Sequence, residues 1–150
     1  MKLNTASQVI SFARKLEEDG AGHYESLARL HPEDSDILLS FARENKKNIT
    51  RVERAYYSVI TDALEGGFTF DIDPEAYAIK PDAFQNTAYS NNLNTAIEME
   101  GKTTRFYAVA AEQSKPLLAD IPRVFLTMAG LRDDRRQKLA ELRDIRNPAK

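Results

Sequence analysis

Four long stretches of this chain carry apolar residues at intervals of three and four, the spacing that places them on one face of an α-helix. The predicted helices cover about residues 5–30, 35–64, 91–115 and 121–145. His31-Pro32 is expected to end the first helix and Gly66-Gly67 the second, because proline restricts the residue before it and glycine leaves helical backbone easily. A chain of 150 residues with four such helices favours one all-α domain over residues 1–150.

The connection between the second and third predicted helices is long, covering residues 66–90. Phe68–Ile72 is predicted to be extended, and Asp73-Pro74-Glu75 to begin a short helix. A connection of this length is uncommon inside a compact domain and indicates a crossover from one end of a bundle to the other. Two short connections flanking one long one predict an antiparallel four-helix bundle of ferritin-like topology. Aromatic residues are expected to pin the crossover to the bundle or to a second subunit: Phe68, Phe70, Tyr77, Phe84 and Tyr89.

The composition excludes several classes of function. The chain has no cysteine, so it has no thiolate nucleophile, no iron–sulfur cluster and no cysteine-ligated zinc. Its formal net charge is −2 with both signs interspersed, which gives no basic surface for a nucleic acid. No apolar run approaches the roughly 20 residues of a membrane span, and the N-terminus lacks a signal-peptide core. We therefore expect a cytoplasmic protein with neither a nucleic-acid nor a membrane partner.

Each predicted helix has an inward stripe that is apolar at both ends and polar in the middle. The polar positions are Glu17 in the first helix, Asn45 and Asn48 in the second, Glu100 in the third, and Arg132 and Arg135 in the fourth. We expect these two acids, two amides and two guanidiniums to meet at one level of the interior, since burying any of them alone is costly. There they must satisfy one another or bind something. The alternative is that the inward faces of the helices are rotated slightly from these positions. Some of the six side chains would then lie on the surface, with the arginine head groups extended into solvent.

The first and third predicted helices share a spacing. Tyr24 follows Glu17 by seven residues, two helical turns along the same face. Tyr107 follows Glu100 by the same seven residues. An internally duplicated helix pair is the simplest account of this match, and chance similarity between amphipathic helices is the alternative.

These two helices carry a resemblance to a known family. Leu16–Tyr24 and Ala96–Tyr107 resemble the first and third helices of the ferritin-like superfamily, most closely those of rubrerythrin-like domains. The resemblance covers nearly the whole chain outside the crossover. It implies a bundle that binds two iron or manganese ions through one glutamate from each of these helices and a Glu-x-x-His pair from each of the other two. Glu17 and Glu100 match the single glutamates.

The other two helices depart from the pattern that the resemblance implies. The Glu-x-x-His pair of the second helix is Asn45-x-x-Asn48 here, and that of the fourth helix is Arg132-x-x-Arg135. Four of the six implied ligands are therefore missing. Divalent iron and manganese are held by carboxylate and imidazole groups, whereas arginine stays cationic in proteins.

Other residues do not restore the missing ligands. Glu44 and Asp133 would be ligands in a register shifted by one, but lysine and arginine then stand at the histidine positions. His23 and His31 are the two histidines of the chain, and both lie at the first helix and off its inward stripe. We expect His23 to be a surface residue.

We therefore expect a centre without a cofactor and without catalytic residues, built on vestigial metal-site positions. Arg132 and Arg135 are predicted to occupy roughly the metal positions and to make forked hydrogen bonds to Glu17 and Glu100. The two amides and the hydroxyls of the two tyrosines would be further partners. Any metal that still binds would be held by the two glutamates.

Three functions remain open from the sequence. The first is a non-catalytic, metal-free bundle with a structural or interaction role, expected to form a homodimer. The second, which the family resemblance implies, is a rubrerythrin-like oxidase, peroxidase or iron-binding protein with two iron or manganese ions. The third is a module that binds a small anionic ligand through the arginine pair.

Overall fold

A computed structural model of the protein describes residues 2–59, 70–80, 84, 88–115 and 120–146. These residues contain four long helices: α1 (Ala6–Leu30), α2 (Ser35–Val59), α3 (Tyr89–Gln113) and α4 (Asp120–Arg146). Single turns of 3-10 helix at Pro32–Asp34 and Pro74–Ala76 lie in the connections. The predicted all-α, four-helix architecture is confirmed. No helix in the described part of the chain combines the length and the apolar composition that crossing a bilayer requires.

Local signals set the helix ends. The Thr5 side chain accepts a hydrogen bond from the Gln8 backbone at 3.1 Å, and the Gln8 side chain accepts one from the Thr5 backbone at 3.2 Å. This reciprocal capping box starts α1 at Ala6. The Asp73 side chain caps the Pro74–Ala76 turn with a single hydrogen bond, accepting from the Glu75 backbone at 3.0 Å. The predicted extension of α2 to Leu64 and its stop at Gly66-Gly67 lie outside the described residues.

The helices pack as two pairs. α1 lies along α2 and α3 lies along α4, and the pairs meet through α2 against α4 and through α1 against α3. Two apolar clusters fill the interior. The first is built around Phe12, Phe106 and Phe125, and the second around Leu38, Phe41 and Leu93. The predicted polar positions lie at mid-helix. In α1, α2 and α4 they lie between residues of the two clusters, and in α3 Glu100 directly follows Met99 of the first cluster.

The crossover is bound to the bundle through its described residues. Leu3 and Ile72 form an isolated antiparallel bridge, and the Phe70 amide donates to the Asn4 carbonyl at 2.6 Å. Phe70 is buried in the first apolar cluster, and Tyr77 and Phe84 pack against it. The prediction that these aromatic residues attach the crossover to the bundle is confirmed. Phe68 lies outside the described residues.

Candidate functional site

The six predicted polar side chains are buried. Their exposed fractions are 0% for Glu17, 0% for Asn45, 2% for Asn48, 1% for Glu100, 1% for Arg132 and 3% for Arg135. All four helices contribute, and contacts between the side chains join them into one group, which we call the charge centre. The alternative in which some of them lie on the surface is wrong.

Arg132 is the hub of the charge centre. Its Nη1 lies 3.0 Å from Oε1 of Glu17, and its Nε lies 2.6 Å from Oε1 of Glu100. One guanidinium thus bridges carboxylates from two different helices. Burial lowers the pKa of Arg132, but the negative charges of Glu100 and Glu17 outweigh this effect and raise the pKa overall. Arg132 therefore remains a cation in the interior.

Arg135 does not make the predicted forked hydrogen bond to the two inward glutamates. Its Nη1 donates to Oδ1 of Asn45, and its Nη2 lies 3.1 Å from Oε2 of Glu44. The same Nη1 is 3.6 Å from Oε2 of Glu100, beyond hydrogen-bond distance. Arg132 takes one oxygen of each glutamate, so Arg135 pairs with the neighbouring amide and with a carboxylate on the rim. The predicted contacts with Glu17 and Glu100 are therefore made by Arg132, and the prediction is wrong for Arg135.

Glu44 is a partner of the charge centre that the inward stripes did not predict. Its side chain is 58% exposed, so no periodicity of burial marks it as part of a buried site. Its position next to Asn45 in α2 is the signal that could have found it, because a long side chain beside the stripe can reach inward. The Arg135 guanidinium also lies 4.9 Å from the Phe41 ring centroid and 5.3 Å from that of Tyr24.

The two tyrosines complete the carboxylate contacts in a reciprocal manner. Tyr24 of α1 donates its hydroxyl hydrogen to Glu100 of α3. Tyr107 of α3 donates to Oε2 of Glu17 of α1 at 2.7 Å. Burial raises the pKa of both phenols, and the nearby glutamate charges raise it further. Each phenol therefore stays protonated and donates to the glutamate of the other helix. The sequence analysis predicted the two tyrosine hydroxyls as partners of the polar side chains, and both make such contacts.

The amides fill the remaining positions. Asn48 donates through Nδ2 to Oε1 of Glu17 at 3.2 Å, and Asn45 donates through Nδ2 to the Glu17 backbone carbonyl at 3.3 Å. The Asn45 oxygen accepts from both arginines. Gly20 makes this approach possible, because a Cβ atom at that position would collide with Nδ2 of Asn45. The Asn45 amide is thereby fixed with its oxygen towards the guanidiniums.

The residues of the charge centre do not fit a pair of divalent metal ions. The Arg132 guanidinium already bridges Glu17 and Glu100, the two carboxylates that would be ligands. Two guanidiniums balance two carboxylates, and the Asn45 oxygen is engaged by both arginines. Across residues 2–59, 70–80, 84, 88–115 and 120–146, no three histidine, cysteine, aspartate or glutamate side chains lie close enough to share a metal ion.

Neither histidine belongs to the charge centre. His23 is 9% exposed, so the prediction of a surface residue is wrong. Its Nε2 lies 2.8 Å from the Lys80 carbonyl oxygen, and its ring packs edge-on against Phe84. The crossover covers this side of α1, which helical periodicity alone does not reveal. His31 lies at the end of α1, where its ring stacks on that of Tyr89, with the two ring centroids 4.2 Å apart.

The resemblance to rubrerythrin-like domains stays a prediction. No family model, curated protein or solved structure matches this chain. What the structure shows of the matching residues is that Glu17 of α1 and Glu100 of α3 contact the same guanidinium.

Proposed function

We propose that this protein is a metal-independent bundle of ferritin-like topology with a structural or protein-interaction role. The observation that carries the proposal is the position of the Arg132 guanidinium, which lies buried between the carboxylates of Glu17 and Glu100. In a two-metal bundle of this topology the glutamates of these helices converge on metal ions. In this protein the two glutamates converge on the Arg132 guanidinium.

The contacts between helices support an antiparallel arrangement. Arg14, near the start of α1, contacts Glu53 near the end of α2 at 3.2 Å, whereas Glu25 near the end of α1 contacts Lys46 at 3.5 Å. In the second pair, Arg143 near the end of α4 donates to Asn94 near the start of α3 at 2.9 Å. Short connections within each pair and a long crossover between the pairs are the features of ferritin-like topology.

Charge balance supports replacement of the metal site. A two-metal site of this type sets four carboxylates against two divalent ions. The charge centre sets Glu17 and Glu100 against Arg132 and Arg135, and it is again neutral. A buried ionic group of this kind adds little net stability, because desolvation offsets most of the attraction between charges. We propose that its role is to hold the register of the four helices.

Iron loading tests the proposal. Purified protein is incubated with ferrous iron in air, and bound iron and the absorbance spectrum are measured. We expect no stoichiometric iron and no charge-transfer band. The matched control is the variant N45E/N48H/R132E/R135H, which restores the ligand set that the resemblance implies and is expected to bind two ions per chain.

The results separate the three functions. Two irons per chain and a charge-transfer band in the unmodified protein would contradict the proposal and favour an oxidase or peroxidase. Heat stabilisation by acetate or phosphate that is lost in Arg135→Gln would favour an anion-binding centre. If N45E/N48H/R132E/R135H folds but binds no metal, these four positions do not correspond to the ligand positions of a two-metal site. The expected homodimer is measured in the same samples by sedimentation equilibrium.

A further inference from the structure

His23 joins α1 to the crossover and makes none of the contacts of the charge centre. It is 9% exposed, and its ring packs edge-on against Phe84, with the two ring centroids 5.6 Å apart. Both ring nitrogens lie within hydrogen-bond distance of a backbone carbonyl oxygen. Nδ1 lies 2.5 Å from the oxygen of Asp19 in α1, and Nε2 lies 2.8 Å from the oxygen of Lys80 in the crossover. The ring thus bridges the two elements.

These two contacts constrain the protonation state of the His23 ring. A backbone carbonyl oxygen accepts hydrogen bonds and cannot donate one. A neutral imidazole has one N–H group, so in either tautomer its other nitrogen would turn a lone pair towards one of the two oxygens. The imidazolium has two N–H groups and donates to both oxygens. With the crossover in contact with α1, only the cationic ring satisfies both contacts.

Charged residues near His23 come from both elements. They are Arg14, Lys15, Glu18 and Asp19 of α1 and Lys80 of the crossover. Those of α1 form two ion pairs, Arg14 with Glu18 at 2.7 Å and Lys15 with Asp19 at 2.8 Å. These four charges balance, and Lys80 is exposed, where water screens its charge. The two carbonyl oxygens at hydrogen-bond distance therefore decide which form of the ring is favoured.

The crossover is held to the bundle at two places. At the first, the Phe70 amide donates to the Asn4 carbonyl at 2.6 Å, and neither backbone group titrates in the range where histidine does. At the second, the His23 ring contacts the Lys80 carbonyl. Loss of one proton from the ring turns one of its two hydrogen bonds into a repulsive contact between a lone pair and an oxygen. It therefore weakens the second place and leaves the first unchanged.

We propose that His23 is a pH-dependent switch for the contact between the crossover and α1. The contact is strongest when the ring is an imidazolium, since hydrogen bonds from a charged donor are stronger than neutral ones. It therefore strengthens as the pH falls through about 6.5, where histidine ordinarily titrates, and weakens as the pH rises above that value. The switch uses neither the arginines nor the glutamates of the charge centre, so its failure leaves the proposed function intact.

NMR of the full chain tests the protonation state of the His23 ring. An exposed imidazolium exchanges its N–H hydrogens rapidly with water, whereas buried and hydrogen-bonded ones exchange slowly. In His31→Gln, His23 is the only histidine, and ¹⁵N labelling of histidine assigns its signals. At about pH 5.5 we expect two slowly exchanging N–H signals from the ring, one for each carbonyl oxygen. Observation of one such signal, or of none, would overturn the proposal.

Distances between spin labels test the contact itself. The chain has no cysteine, so labelled pairs can be introduced by substitution. K47C/A78C labels exposed positions in α2 and the crossover, and the control pair K47C/A108C labels exposed positions in α2 and α3. We expect a narrow distance distribution for both pairs at about pH 5.5. At about pH 8.5 we expect the K47C/A78C distribution to broaden and that of the control pair to stay the same.

Histidine variants connect this change to one ring. His23→Gln keeps a hydrogen-bond donor but cannot take up a proton, and we expect its K47C/A78C distribution to be the same at both pH values. His31→Gln removes the other histidine and is expected to keep the change. A K47C/A78C distribution that does not depend on pH when both histidines are present would contradict the switch. A change that persists in His23→Gln would contradict it as well.

Discussion

A guanidinium as deeply buried as that of Arg132 keeps its charge only where neighbouring groups supply the opposite charge. Glu17 and Glu100 do so from two other helices, at 3.0 and 2.6 Å. Removing one carboxylate leaves a cation that neither water nor a counter-charge fully compensates. The individual residues of the charge centre are therefore far more sensitive to substitution than exposed ion pairs on the same helices.

Glu100→Ala is expected to lower the free energy of unfolding by about 3–5 kcal/mol, because it breaks a buried ionic group. The matched control is Glu44→Ala, which removes a carboxylate that also contacts an arginine of the centre but is 58% exposed. We expect this control to lose less than about 1 kcal/mol. Urea unfolding followed by circular dichroism measures both. A loss below about 1 kcal/mol for Glu100→Ala would contradict a buried network.

Gly20→Ala is expected to destabilise the protein, because the new methyl group collides with the Asn45 amide. Gly22→Ala, in the same helix, meets no other atom within 4 Å. It is expected to stabilise the protein by about 0.5–1 kcal/mol, since alanine is the better helix former. Thermal unfolding of the two variants gives the comparison. Equal stabilisation by both would mean that Asn45 does not lie against α1.

High pH is expected to unfold the protein through its buried phenols. Burial raises the pKa of Tyr24 and Tyr107 above the ordinary value of 10.0. Above about pH 10 the unfolded chain therefore loses protons that the folded chain retains, and stability falls as pH rises. The protein has no tryptophan, so tyrosinate absorbance can be followed directly.

We expect these two phenols to ionise together with the loss of helical circular dichroism. Tyr107→Phe should remove one tyrosine from that step. Ionisation of every tyrosine near pH 10 with the helices intact would show that the two hydroxyls are not buried.

At the scale of the elements, the helices were predictable because their signals are local. Thr5, the His31-Pro32 pair and the apolar spacing lie within or next to the segments that they organise. The burial of His23 and the pairing of Arg135 with Glu44 were not predictable in this way. Both depend on a segment or helix distant in the chain: the crossover over α1 in one case, and α2 against α4 in the other.

Asp34 joins two elements, and its effect is expected at acid pH. It lies in the turn between α1 and α2, and its carboxylate oxygens contact Nη2 and Nε of Arg146 at 2.6 and 2.9 Å. These hydrogen bonds lower the pKa of Asp34 below the ordinary value of 3.8. Its contribution to stability is therefore present above about pH 4 and is lost as pH falls through the lower folded pKa.

Asp34→Asn removes this contribution at every pH. We expect the difference in melting temperature between the protein and this variant to be largest near neutral pH and to shrink below about pH 4. Added salt should also reduce it, because the Arg146 side chain is 40% exposed. A difference in melting temperature that stays constant down to about pH 2 would contradict an ion pair between Asp34 and Arg146.

In the whole molecule, the charge centre receives side chains from all four helices, in an interior that two apolar clusters otherwise fill. That convergence was predictable, because four independent stripes place polar residues at the same mid-helix level. Which of these groups hydrogen-bond to one another was not predictable, since that depends on which side-chain atoms come within hydrogen-bond distance. The Asn45 side-chain oxygen, for example, accepts hydrogen bonds from both arginines, which the sequence pattern does not indicate.

A crystal structure of the protein grown with excess manganese, whose anomalous scattering marks its position, would show whether a side-chain cation or a metal ion lies between the helices. We expect the Arg132 guanidinium between Glu17 and Glu100, with no manganese peak between the helices. A manganese ion coordinated by these two glutamates, with the arginine head groups turned out to solvent, would contradict it.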